Sequence, residues 1–140
     1  MKINYENFRS PSQQKEIEDL LKVYGSIIPG FVRTLNVVNW DDSDGENQDY
    51  ASIKYEPKYL EANLHIYNRF FSNKEQVKKL TIIHELLHIH VGRISSLVRD
   101  DVIKYVATKN EDLSIFMDRS YIGLEEEFVE HFANFILDRS

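Results

Sequence analysis

The run His84-Glu85-Leu86-Leu87-His88 has the residue types and the spacing of a metal site. On an α-helix, residues four apart lie about 40° apart around the axis and about 6 Å apart along it. Two imidazoles so placed can hold one ion. Glu85, turned about 100° from His84, can reach past that ion to a bound water. A carboxylate in that position acts as general base while the water attacks a carbonyl. The plainer alternative is a pair of hydrogen-bonded core histidines. Two histidines at this spacing with a glutamate between them favour the metal.

Imidazole nitrogen and carboxylate oxygen suit zinc, and catalytic zinc keeps three protein ligands with one position open. The third ligand must come from elsewhere, and Glu125-Glu126-Glu127-Phe128-Val129-Glu130-His131 supplies the candidates. On a helix whose core face is marked by Val129 and Ala133, Glu126 lies about 60° from Val129, Glu130 about 100° and Glu127 about 160°. Glu126 is the expected ligand. Glu130, one turn on, can accept a hydrogen bond from a ligand histidine and fix its tautomer. Glu125 and Glu127 read as an acidic first turn complementing the helix dipole. His131 points poorly for a ligand, and His90 follows His88 too closely to be one.

His84-Glu85-Leu86-Leu87-His88 with a later helical glutamate is similar to the gluzincin branch of zinc metallopeptidases. Glu126-Glu127-Phe128-Val129-Glu130-His131-Phe132-Ala133 resembles small bacterial and phage-type metallopeptidases related to the ImmA/IrrE group. The resemblance spans about residues 60–137, and only the HExxH run is specific. It implies a zincin-like fold: a small sheet, an active-site helix and a ligand helix. It also implies peptide-bond hydrolysis, one Zn2+ per chain, and a peptide or protein substrate lying along an edge strand. The strand over residues 60–67 is the candidate edge, because it leads straight into the active-site helix, and His65 on it could touch substrate. Tyr121 or Tyr105 could steady the oxyanion. Toxin-type zincins with Glu-x-Phe-Ala offer another register, with Glu130 as third ligand and Asn134 one turn on. A zinc-stabilised interaction or regulatory module without catalysis is the alternative of a different class; Glu85 argues against it, since a structural site needs no general base.

Other elements must position these groups. Ser10-Pro11-Ser12-Gln13 is a helix start, Ile17, Leu20, Leu21 and Tyr24 follow at helical spacing, and Gly25 can cap the end. Residues 31–40, 50–55 and 60–67 read as strands. The polar run 41–47 reads as a solvated hairpin loop; it fails the EF-hand pattern, because Trp40 stands where an aspartate is needed. Ser72 and Glu75 form a capping-box pattern for the HExxH helix, which Gly92 can end. A helix over 95–108, with Val98, Val102, Tyr105 and Val106 on one side, is expected next. A short helix over 111–117 and a last helix from Leu124 follow. Helix, then strands, then helices predicts an α+β fold with a mostly antiparallel sheet.

The 140 residues suit one domain over 1–140. With 42% hydrophobic and 29% charged residues, the composition is that of a globular chain. A net charge of −6 without a Lys/Arg stripe argues against nucleic acid as a partner. No apolar run reaches the roughly 20 residues of a membrane span, and the start lacks the apolar stretch of a secretory signal. A cytoplasmic location is the expectation. The absence of cysteine removes thiolate chemistry. Oligomeric state is not legible in the sequence.

Overall fold

A computed structural model describes residues 1–40 and 49–140, with the backbone alone at position 93. The element order is β1 (Lys2–Glu6), α1 (Pro11–Tyr24), β2 (Thr34–Trp40), β3 (Ala51–Glu56), β4 (Glu61–Tyr67), α2 (Glu75–Ser96), α3 (Lys104–Ala107) and α4 (Glu111–Asp138). A π-helical stretch, Leu97–Ile103, joins α2 to α3.

The start of α1 forms as its residue types dictate. Ser10 Oγ accepts from the Gln13 amide at 3.3 Å, Pro11 occupies the first turn, and Gly25 is the C-cap. The start of α2 differs from expectation. Ser72 closes a short 3-10 turn over Asn68–Ser72, and its hydroxyl donates to the Arg69 carbonyl instead of capping the helix.

The fold is α+β with a four-stranded mixed sheet in the order β1-β2-β4-β3. The expected mostly antiparallel sheet is corrected. β1 pairs with β2 and β2 with β4 in parallel, and only β3 with β4 is antiparallel. One cause is β1, which was not read as a strand; the other is that β4 lies parallel beside β2, with β3 on its far side. Strand, helix and parallel strand over β1, α1 and β2 form a crossover unit. The segment 41–48 lies outside the described residues. The strands on either side of it are not neighbours, since β4 separates β2 from β3, so they form no hairpin.

Leu35, Val37, Ala62, Leu64 and Ile66 all face one side of the sheet and are buried there. They pack with Ile17 and Leu21 of α1 and with Ile82, Ile83, Leu86 and Ile89 of α2. The opposite face carries the polar alternates. Asn4 donates to Asn36, and Asn36 to Asn63, each at 2.9 Å. Buried Lys78 ties the helices together by pairing with Glu16 of α1, and also meets Glu75 at 3.3 Å.

Gly92 does not end its helix, and the two helices expected over 111–117 and from Leu124 are one. α2 runs through Gly92, and α4 runs unbroken through Gly123. An interior glycine costs about 1 kcal/mol against alanine, which a long packed helix absorbs. The π stretch also changes which residues face inward: Ile103 is buried, while Val102 and Tyr105 are 46% and 64% exposed. Wider π turns rotate the following side chains off the 3.6-residue register. Among the described residues, no helix is long and apolar enough to cross a membrane.

Candidate metal centre

α2 packs beside α4 and under β3, and the three elements meet at the HExxH run. Ile82, Ile83, Leu86 and Ile89 anchor α2 in the core. His84 and His88 therefore project from its other side toward α4, with side chains 19% and 17% exposed. On α4, Val129 and Ala133 are fully buried. They fix the rotation that brings Glu126 to the histidines.

His84 Nε2 and His88 Nε2 are 3.1 Å apart. Glu126 Oε2 is 3.3 Å from the first, and its Oε1 is 3.1 Å from the second. His84, His88 and Glu126 are the group of described residues whose ligand atoms converge well enough to hold an ion. Donors held about 2.0–2.1 Å from a tetrahedral ion lie about 3.3 Å from one another, so the observed separations fit.

The outer ring nitrogens are also engaged. His84 Nδ1 lies 3.1 Å from Glu130 Oε2, and His88 Nδ1 lies 3.3 Å from Glu125 Oε1. Asn134 donates to Glu130 Oε1 at 3.2 Å. Glu130 thus sits beside a histidine, where the sequence put it, and not in the converging trio. Glu125 was missed. Read as part of an acidic first turn it looked like a dipole-complementing surface residue, but its side chain is only 15% exposed. The signal that could have found it is its four-residue offset from buried Val129, which puts it about 40° from the core face, nearer than Glu126. The Tyr121 hydroxyl donates to Glu125 and accepts from Ser95, and burial, followed by the Glu125 charge, raises its pKa. Glu127 is exposed, as expected.

Glu85 faces the cleft and is deeply desolvated. Burial, then the negative charges of Glu126 and Asp49, push its carboxyl from 4.5 up to about 8, against a hydrogen bond from the Ile53 backbone that lowers it. A cation in the trio would act in the opposite direction and favour the ionised base.

A cleft of about 810 Å³ opens over this cluster, walled by β3 on one side and by α2 and α4 on the other. A second, smaller recess adjoins His84 and Glu85 and is lined by Tyr50, Ala51, Val77 and Leu80. The edge strand at the cleft is β3, not the strand over 60–67: β4 lies inside the sheet between β2 and β3. His65 is on the face of the sheet away from α2. It stacks on Trp40 with ring centroids 4.9 Å apart, and burial lowers its pKa. It does not line the cleft. Tyr105 is exposed and also outside it. Tyr121 braces Glu125, so its hydroxyl is already engaged. His90 reaches the Ile27 carbonyl, away from the cluster.

The arrangement can hold one cation on two imidazoles and a carboxylate, with a buried proton acceptor beside it. Set against protein-family models, curated proteins and solved structures, the chain matches none.

Proposed function

We propose that this chain is a zinc-dependent metallopeptidase that holds its ion on His84, His88 and Glu126. One observation carries the reading. With each Nδ1 directed at a carboxylate, the hydrogens of the neutral rings sit on the outer side. Both Nε2 atoms then present lone pairs to each other and to the Glu126 oxygens at 3.1–3.3 Å. Acceptors facing acceptors repel unless a proton or a cation lies between them. The donor set suits zinc, and the cluster has three protein ligands beside an open cleft, as catalytic sites do.

A zinc ion held by these residues would supply Lewis-acid chemistry, making a water easier to deprotonate and a substrate carbonyl easier to attack. Glu85 would accept the proton of the attacking water and deliver it to the leaving amine. Glu125 and Glu130 hold the rings in one tautomer. Among the described residues β3 is an edge strand, and the backbone groups along that edge other than the one Ile53 gives to Glu85 can serve an extended peptide, which favours a peptide over a small ester or sugar. The likeness of the HExxH run and the α4 glutamates to gluzincins supports the same reading.

The test is zinc per chain by elemental analysis, on wild type, Glu126→Ala and Glu130→Ala. The expected result is about one zinc in wild type, lost in Glu126→Ala and weakened but retained in Glu130→Ala. Peptide hydrolysis by the loaded wild type, lowered about 10²–10⁴-fold in Glu85→Gln, completes it. Zinc without hydrolysis of any peptide in a diverse library would leave a zinc-stabilised interaction module instead. No zinc uptake would sink both.

A further inference from the structure

Asn134 lies within α4, exposed to solvent and one turn beyond Glu130. Asparagine is a poor residue inside a helix, where alanine serves better. Its side chain is nonetheless fully used. Nδ2 donates to the Glu130 backbone carbonyl at 2.9 Å and to Glu130 Oε1 at 3.2 Å. Both partners are oxygens, which fixes the orientation of the amide: turned over, its own oxygen would face two acceptors.

Glu130 is thereby engaged at both carboxylate oxygens. Oε1 takes the amide, and Oε2 lies 3.1 Å from His84 Nδ1. An asparagine that only bonded back to the preceding turn would leave Oε1 untouched.

The two histidines differ in what keeps their outer carboxylates in place. Glu125, beside His88, has a side chain 15% exposed, so packing restricts it. Glu130, beside His84, is 53% exposed. An exposed glutamate keeps most of its rotamer freedom, and ordering it against a ring nitrogen costs entropy. A second hydrogen bond on the same carboxylate lowers that cost, because the side chain is restricted before any ion arrives.

The geometry points to Asn134 as a positioning residue of the metal centre. It holds Glu130, Glu130 holds the His84 ring, and the ring presents Nε2 to the ion. This role rests on the metal reading of the cluster and does not require hydrolysis.

The experiment is a zinc titration of the full chain against a chromogenic chelator. The proteins are wild type, Asn134→Ala, Asn134→Gln, Glu130→Ala and the variant with both alanines. Asn134→Ala is expected to lower zinc affinity about 3–10-fold. Asn134→Gln keeps an amide donor and should lose less. In the Glu130→Ala background, Asn134→Ala should change nothing, since no carboxylate is left to hold. Urea midpoints in the presence of a chelator separate this role from a structural one. There Asn134→Ala should match or exceed wild type, because alanine favours the helix. Unchanged zinc affinity in Asn134→Ala overturns the proposal. So does an equal loss in the Glu130→Ala background, or a fall in metal-free stability that matches the loss of affinity. A wild type that binds no zinc overturns the metal reading and this role with it, so the wild-type titration tells the two failures apart.

Discussion

His88 Nδ1 lies 3.3 Å from the Glu125 carboxylate, one residue before the glutamate that faces the same ring's Nε2 at 3.1 Å. Two successive residues of α4 thus hold opposite sides of one imidazole. Glu130 does for His84 what Glu125 does for His88. α4 therefore contacts both histidines on their outer nitrogens as well as bringing Glu126 to their inner ones.

Removing either brace should weaken metal binding without abolishing it. Glu125→Ala and Glu130→Ala are each expected to lower zinc affinity about 10–100-fold, measured by competition with a chromogenic chelator. Exposed Glu127→Ala is the control and should leave affinity unchanged. Equal affinities in all three variants would remove the orienting role.

Glu85→Gln should separate chemistry from binding. The amide keeps the shape but cannot accept the proton. Peptide hydrolysis is expected to fall about 10²–10⁴-fold with one zinc still bound. A loss of zinc equal to that in Glu126→Ala would mean that Glu85 acts as a ligand.

The metal-free protein should lose stability as pH rises. Glu85 titrates at about 8 in the folded chain against 4.5 normally. The folded state thus binds the extra proton between those values, and stability is greatest below about pH 4.5 for this group and declines up to about pH 8. The expected loss is a few kcal/mol. Urea midpoints in the presence of a chelator, at pH 5.5 and 8.5, measure it. Glu85→Gln should flatten the difference, and an unchanged slope in that variant would refute the assignment.

The Lys78–Glu16 pair joins α1 to α2 beneath the site, with the lysine side chain only 8% exposed. Glu16→Ala leaves that ammonium with Glu75 alone at 3.3 Å. The expected cost is about 2 kcal/mol in chemical denaturation. Lys78→Met, which removes the charge and keeps the packing, should cost less.

The HExxH cluster was legible because it depends on local geometry. A helix fixes the directions of residues four apart wherever it sits, so His84, Glu85 and His88 could be assigned to one site from spacing alone. Glu126 was ranked above Glu127 by the same arithmetic, once Val129 and Ala133 marked a buried face. The strand positions followed from residue type and alternation. Their neighbours did not, because pairing joins segments distant in sequence and periodicity carries no partner information. Only the tertiary structure placed β4 inside the sheet and β3 at the cleft edge, and so put His65 on the wrong face for substrate. It alone brought Glu125 within reach of His88, since the helix-to-helix separation between α2 and α4 is set by packing. The sequence by itself determined that His84, Glu85 and His88 share one helix at fixed angles, through the pitch of that helix. The tertiary structure decided that Glu125 and Glu130 meet the outer ring nitrogens and that β3 lines the cleft, because those depend on contacts between elements.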